Sequence, residues 1–237
     1  LLVQENEASR QISAYPAISR DIADALLSGA DYEALIDPLL RALFYLAYKQ
    51  DEGAEQLGAV GTVGICVDLM SKYANHPKIG ASAIKCLVAL VGSAKGNIER
   101  AIGVQQIESL YATFEDSDNE KMIKNILLLL TTICKASKGA RDALGDSQFP
   151  ARLIEMTTTP DLDDVIVSNS LIACAYIIPM KDETLLNSLS DLMDIYEPDA
   201  SVSMQKSIKQ SREIIKARAE GVDDMVSLGK KKEKKGK

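Results

Sequence analysis

The chain has 237 residues, of which 46% are hydrophobic and 5% aromatic, with no Trp and a formal net charge of −7. This apolar content supports a buried core and excludes global disorder, and the length suits one large domain or one short repeat array. The last eight residues, KKKEKKGK (230–237), carry +5 and leave −12 on the rest, so the body is excluded as a general binder of nucleic acid. The chain opens on Leu1, which sets the expectation of a fragment, and residues 1–15 read as a truncated N-terminal helix or linker. Gln4-Glu5-Asn6-Glu7 is polar and acidic, unlike a secretory signal. Leu, Ile, Ala and Val dominate the remainder, and the 7 prolines are read as punctuation, so the elements are expected to be helices.

Along the chain the organising signal is repetition. LFYLAYKQDEG (43–53), CLVALVGSAKG (86–96) and LLTTICKASKG (129–139) align without gaps, each ending on a glycine, and the intervals are both 43 residues. Gly53, Gly96 and Gly139 are read as helix stops, because glycine enters the left-handed conformation without a Cβ penalty. After each stop come a short amphipathic stretch, at 54–61, 97–104 and 140–147, and then a medium helix near 64–73, 106–114 and 151–156. A polar loop follows and the long helix begins again. A fourth copy, IACAYIIPMKD (172–182), keeps the apolar pattern but has Pro179 and no glycine. Short, medium and long helices in a unit of roughly 40–47 residues form a three-helix repeat. Repeats are read over 16–183, capping helices over 184–221 and a disordered basic tail over 222–237. The apolar run Ile126–Leu130 is too short to span a bilayer, so no transmembrane segment is expected.

The long helices resemble the third helix of armadillo repeats. Aligning the terminal glycines puts Leu43, Phe44, Leu46 and Ala47, then Leu87, Ala89, Leu90 and Ala94, then Leu130, Thr132 and Ile133, on the core positions of that family. Leu57-Gly58-Ala59-Val60 and Ile102-Gly103-Val104 match its junction turn. The resemblance implies an all-α fold: a right-handed α-solenoid of about four armadillo-like three-helix repeats with a C-terminal helical cap. It also implies a groove lined by the third helices. Importin-like members place a Trp there and, four residues later, an Asn. Here the Trp positions hold Tyr45, Val88, Thr131 and Cys174, and the Asn positions hold Lys49, Gly92, Lys135 and Ile178. With no amide ladder, nuclear-localisation peptides are not the expected ligand. Tyr45, Lys49, Val88, Gly92, Thr131 and Lys135 are the candidate protein-binding residues, and the lysines suit an acidic or mixed partner.

Catalytic constellations are not legible. The single histidine, His76, sits in the loop Asn75-His76-Pro77 and reads as a solvated residue, and no zinc ligand set is present. Gly58 to Gly64 matches neither GxGxxG nor a P-loop; Gly61 and Gly64 are read as allowing close helix packing. Ser117-Asp118-Asn119-Glu120 has the form of a capping box, and Asp163 with Asp164 suits a helix N-terminus. Cys66, Cys86, Cys134 and Cys174 lie in apolar stretches and read as buried free thiols in a reducing compartment.

The expected function is therefore a non-enzymatic scaffold or adaptor, with no cofactor and no small-molecule substrate, working in the cytoplasm or at cytoskeletal or nuclear sites. Alternatives are a co-chaperone, linked to Hsp70 or Hsp90 or to myosin or dynein assembly, and a structural part of a ciliary or cytoskeletal assembly. The basic tail is expected to contact tubulin, an anionic membrane or RNA.

Overall fold

The computed structural model describes residues 16–28, 32–76, 78–159 and 161–222. The segment expected to be an N-terminal helix or linker, 1–15, and the basic tail from 223 onward lie outside the described residues. Among the described residues there are thirteen helices and no strand. None of these helices is long and apolar enough to cross a membrane.

The chain divides into two compact units, residues 1–129 and 130–237. The first holds α1 (Pro16–Ser28), α2 (Glu33–Ala47), α3 (Asp51–Ala59), α4 (Thr62–Lys72), α5 (Ile79–Ser93), α6 (Gly96–Ala101), α7 (Val104–Asp116) and the start of α8 (Glu120–Ala136). The second holds the rest of α8, then α9 (Lys138–Gly145), α10 (Phe149–Thr157), α11 (Asp164–Ile177), α12 (Glu183–Tyr196) and α13 (Val202–Ala219). The order of short, medium and long helices is present in both. Helices α3, α4 and α5 have 9, 11 and 15 residues, and α9, α10 and α11 have 8, 9 and 14.

In the first unit the repeat register is written in its hydrogen bonds. The Asn97 amide donates to the Ala54 carbonyl 43 positions back, and the Asn125 amide to Ala81, 44 back. The Ser82 hydroxyl donates to Asp37 across 45 positions, and the Lys49 N–H to the Ser93 hydroxyl across 44. Polar groups at equivalent points of successive units thus meet, as they must when each repeat buries its face on the next. In the second unit the Arg218 guanidinium reaches the Ala175 carbonyl, also 43 positions away.

The helix stops differ from the expectation. Helices α2, α5 and α8 end at Ala47, Ser93 and Ala136, several residues before the aligned glycines. The chain turns on one residue at or just after each end whose ψ is near 120°: Tyr48 (115°), Ala94 (120°) and Ser137 (125°). An extended ψ breaks the helical ladder without needing a positive φ. Gly53 and Gly139 instead lie inside the following short helices, and Gly96 opens one. Among the described residues of the first unit the left-handed glycine is Gly61, with φ 88°, immediately before α4. A Cβ at Gly61 or Gly64 would meet nothing within 4 Å, so neither serves close helix packing. Pro38 is a further departure, since it sits inside α2 rather than at a boundary.

Several helix starts are capped by side chains. Asn119 Oδ1 accepts from the Lys121 and Met122 N–H groups at the start of α8, so the cap is Asn119 rather than Ser117. Asp163 Oδ1 accepts from Val165 and Ile166 at α11, as read from the sequence. His76 is not a bystander. Its Nδ1 accepts from the N–H groups of Lys78 and Ile79 at the entry to α5, and its Nε2 lies 3.1 Å from Glu33 Oε1. An imidazole accepting at Nδ1 carries its proton on Nε2, which donates to the carboxylate. His76→Ala is therefore expected to cost about 1 kcal/mol, the usual cost of losing an N-cap, read as a shift in the urea midpoint.

Helices α5 and α11 are buried over most of their circumference. Helix α5 packs against α2, α3, α4 and α6, and α11 against α9, α10, α12 and α13. Met204, Ile208, Ser211, Ile214 and Ala217 form the buried stripe that α13 presents, while Arg212 on its exposed side pairs with Asp194 and Glu197 at 2.7 and 2.9 Å. In the fourth repeat Cys174 and Ile178, which fall at groove positions of the armadillo alignment, are completely buried, and Cys174 is the buried free thiol read from the sequence.

All four cysteines are free and buried. Burial holds Cys134 up to about 12 from an ordinary 9.0, and raises Cys174 further. Cys86 is raised well above 9.0 by its hydrogen bond to Cys66 and then by burial. Raised thiol values favour the protonated folded state, so this contribution is complete below pH 9 and is lost as pH climbs toward 12. At pH 8 a colorimetric disulfide reagent is expected to titrate essentially no thiol in the native protein and all four cysteines in guanidinium chloride.

Candidate protein-binding site

In the first unit α2 and α5 pack side by side, tied near their starts by Ser82 to Asp37 at 2.7 Å and near their ends by Lys49 to Ser93 at 3.0 Å. The buried side of α2 is Ile36, Leu40, Leu43, Leu46 and Ala47. The 3.6-residue period then leaves Arg41, Tyr45 and Tyr48 outward, and all three are exposed. On α5, Lys85 and Gly92 are exposed and Ser82 and Val88 half-buried, a narrow stripe at helical spacing.

The stripe of α2 is an aromatic cluster. Phe44 and Tyr48 stack at 5.1 Å with a 19° interplanar angle, and Phe44 meets Tyr45 edge-on at 5.3 Å. Tyr45 is 37% exposed and Tyr48 47%. Two ammonium groups sit over these rings: Lys85 Nζ is 4.7 Å from the Phe44 centroid and Lys49 Nζ 5.1 Å from that of Tyr48. Each such contact contributes about 0.5–1 kcal/mol at an exposed site. Neither lysine has a carboxylate partner among the described residues, whereas Arg41 is bound to Asp37 at 3.3 Å. Lys49 also has φ 57°, an uncommon left-handed value for a residue with a Cβ. Its N–H bond to Ser93 holds it there.

Tyr45, Lys49, Val88 and Gly92 are thus brought together on two neighbouring helices. Tyr45 and Lys49, however, are not one helical turn apart on a single face, because α2 ends at Ala47 and Lys49 turns back over Tyr48. Phe44, read as a core residue, is half-buried in the surface cluster. Tyr48 and Lys85 were missed. Lys85 could have been found by stepping back three residues from Val88 along the same face. In the second unit Thr131 is half-buried and Lys135 exposed, in the last turn of α8 where a cation complements the helix dipole.

The sequence matches no protein-family model and no curated protein. Solved structures do match. A designed armadillo repeat protein in complex with the peptide (KR)4 superposes with a TM-score of 0.74 at 13% identity, covering 90% of this chain and 88% of that one. The fold is that of armadillo repeat proteins. Computationally designed armadillo repeat proteins for modular peptide recognition match at 0.65 and 16% identity, covering 89% and 90%. An engineered protein matches at 0.71 and 17%, over 91% of this chain and 56% of its own length. At these identities the armadillo likeness concerns the path of the backbone, so the side chains of the α2–α5 face must speak for themselves.

Proposed function

We propose that this chain is a non-enzymatic protein-binding module whose α2–α5 face takes an extended acidic segment of a partner, with an apolar or aromatic side chain lying on the Phe44–Tyr45–Tyr48 cluster. The observation that carries this reading is the pair of exposed ammonium groups, Lys49 and Lys85, held over aromatic rings with no carboxylate partner among the described residues. Rings offer large contact area at small entropic cost, and unpaired lysines supply the charge that a carboxylate answers. A protein of the same fold is described in complex with a basic peptide, (KR)4, which supports peptide capture by this architecture. The α2–α5 face carries two lysines over its rings, so an acidic segment is the ligand whose charge suits it. Four free buried thiols fit a reducing compartment such as the cytoplasm as the place of work.

Fluorescence anisotropy with labelled octapeptides tests this. An alternating Glu-Tyr peptide is expected to bind with a dissociation constant in the micromolar range that weakens with salt, and (KR)4 to show no saturable binding. Equal binding of the two peptides, or of neither, would remove the face from the argument.

A further inference from the structure

The seam between α2 and α5 holds a polar relay whose last member is open. Ser82, half-buried on α5, donates its hydroxyl to Asp37 Oδ1 on α2 at 2.7 Å. The other oxygen, Asp37 Oδ2, lies 3.3 Å from Arg41 Nε, one helical turn further along α2. The Asp37 side chain is 20% exposed and that of Arg41 66%. Both oxygens of Asp37 are engaged, one by a neutral hydroxyl and one by a cation. Arg41 engages only its Nε, and its Nη1 and Nη2 make no hydrogen bond or ion pair among the described residues. A guanidinium is planar, so placing Nε against Asp37 turns the end-on edge, Nη1 with Nη2, away from that carboxylate. An ion pair between residues one turn apart on a helix surface is common and weak. Here the carboxylate is itself held by the neighbouring helix, so the pair is tied to the seam beside the aromatic cluster. Arg41 stands one turn before Tyr45 and two before Tyr48, on the same outward stripe of α2.

We infer that Arg41 is a specificity residue of this face: its Nη1–Nη2 edge takes a side-chain carboxylate of the bound segment in a paired grip, and Asp37 and Ser82 are its positioning residues. The inference rests on the binding role proposed for the α2–α5 face and adds to it a carboxylate contact of fixed geometry. Lys49 and Lys85 carry point charges on flexible stems, whereas a guanidinium edge matches two carboxylate oxygens at once. Because Asp37 offsets the charge of Arg41, the contribution of Arg41 is directional and short-ranged, and the longer-ranged attraction comes from the two lysines. The ligand class so named is a segment bearing carboxylates beside its aromatic residue, as distinct from any segment of negative charge.

Anisotropy of the full chain with the labelled alternating Glu-Tyr octapeptide tests the assignment. Arg41→Lys, which keeps the charge and loses the fork, is expected to weaken binding about fivefold. Asp37→Asn with Arg41→Gln removes the pair without changing the net charge, and should weaken binding by about the same factor. Ser82→Ala should weaken it about threefold in the parent and leave it unchanged in the Asp37→Asn, Arg41→Gln background. Ser82→Thr, which retains the hydroxyl, should match the parent. A Ser82 that served the fold alone would weaken both backgrounds alike. Arg212→Gln, in the second unit, where the side chain pairs with Asp194 and Glu197, should leave binding unchanged. Parent binding that is lost with Lys49→Glu and Lys85→Glu, yet untouched by Arg41→Lys and by the charge-neutral double variant, overturns this inference and leaves the proposed function standing. No saturable binding by the parent overturns both.

Discussion

Gly58→Ala is expected to destabilise the protein by about 3 kcal/mol or more, beyond any ordinary glycine-to-alanine change in a helix. Gly58 lies inside α3, and a Cβ built there stands 1.6 Å from Asn97 Oδ1 and 2.5 Å from its Cγ. Asn97 has no room to yield. It is completely buried, and its amide donates to the carbonyls of Ala54 at 2.7 Å and Leu90 at 3.2 Å while Oδ1 accepts from Arg100 at 2.7 Å. The added methyl must therefore displace a side chain that joins α3, α5 and α6, leaving buried polar groups without partners. The decisive control is the background. In Asn97→Ala, which itself is expected to cost about 1–3 kcal/mol, the obstacle is gone. Gly58→Ala should then be neutral or stabilising by up to about 1 kcal/mol, since alanine is the better helix former. Urea unfolding of the four chains measures the coupling as a double-mutant cycle. An equal cost of Gly58→Ala in both backgrounds would show that the contact with Asn97 is not its cause.

This pair also shows what the sequence disclosed and what it withheld. The 43-residue period was legible because every unit repeats the same apolar demand, and repetition averages out local irregularity. Hydrogen bonds joining residues 43 to 45 apart are the same register seen in three dimensions. The reason for an individual glycine was not legible. Gly53, Gly96 and Gly139 recur where stops are expected, yet the turns are made by Tyr48, Ala94 and Ser137 in extended conformation, which any residue can adopt. Gly58 is required by a partner 39 positions away, and such long-range steric demands leave no local trace. The candidate site was half legible for a similar reason. Helical spacing placed Tyr45, Val88 and Gly92 correctly on outward faces, but Lys49 was assumed to extend a helix that ends two residues earlier. Its meeting with Tyr48 depends on a left-handed backbone that lysine seldom takes. The amphipathic pattern of α13 says that it docks but not upon what; it packs on α11.

Reversing the charge of the α2–α5 face is expected to reverse its choice of ligand. Lys49→Glu with Lys85→Glu changes the face by four charge units at two exposed positions that hold no hydrogen-bonded side chain in place. Each lysine–carboxylate contact with a bound peptide contributes about 0.5–1 kcal/mol, and each reversal replaces that attraction with repulsion of similar size. The two sites together give about 2–4 kcal/mol, so affinity for the alternating Glu-Tyr peptide should fall roughly 30- to 900-fold. The same double variant should acquire measurable affinity for (KR)4, because the aromatic cluster of Phe44, Tyr45 and Tyr48 remains to receive the aliphatic stems of its basic side chains. Unfolding in urea should move by no more than about 1–2 kcal/mol, the two lost cation–ring contacts. Salt gives the second reading. At physiological ionic strength the screening length is about 8 Å, so a fourfold increase in salt should weaken the acidic peptide on the parent chain and the basic peptide on the variant alike. A parent affinity that ignores both salt and charge reversal would mean that the rings alone bind, or that the contact is made on another face.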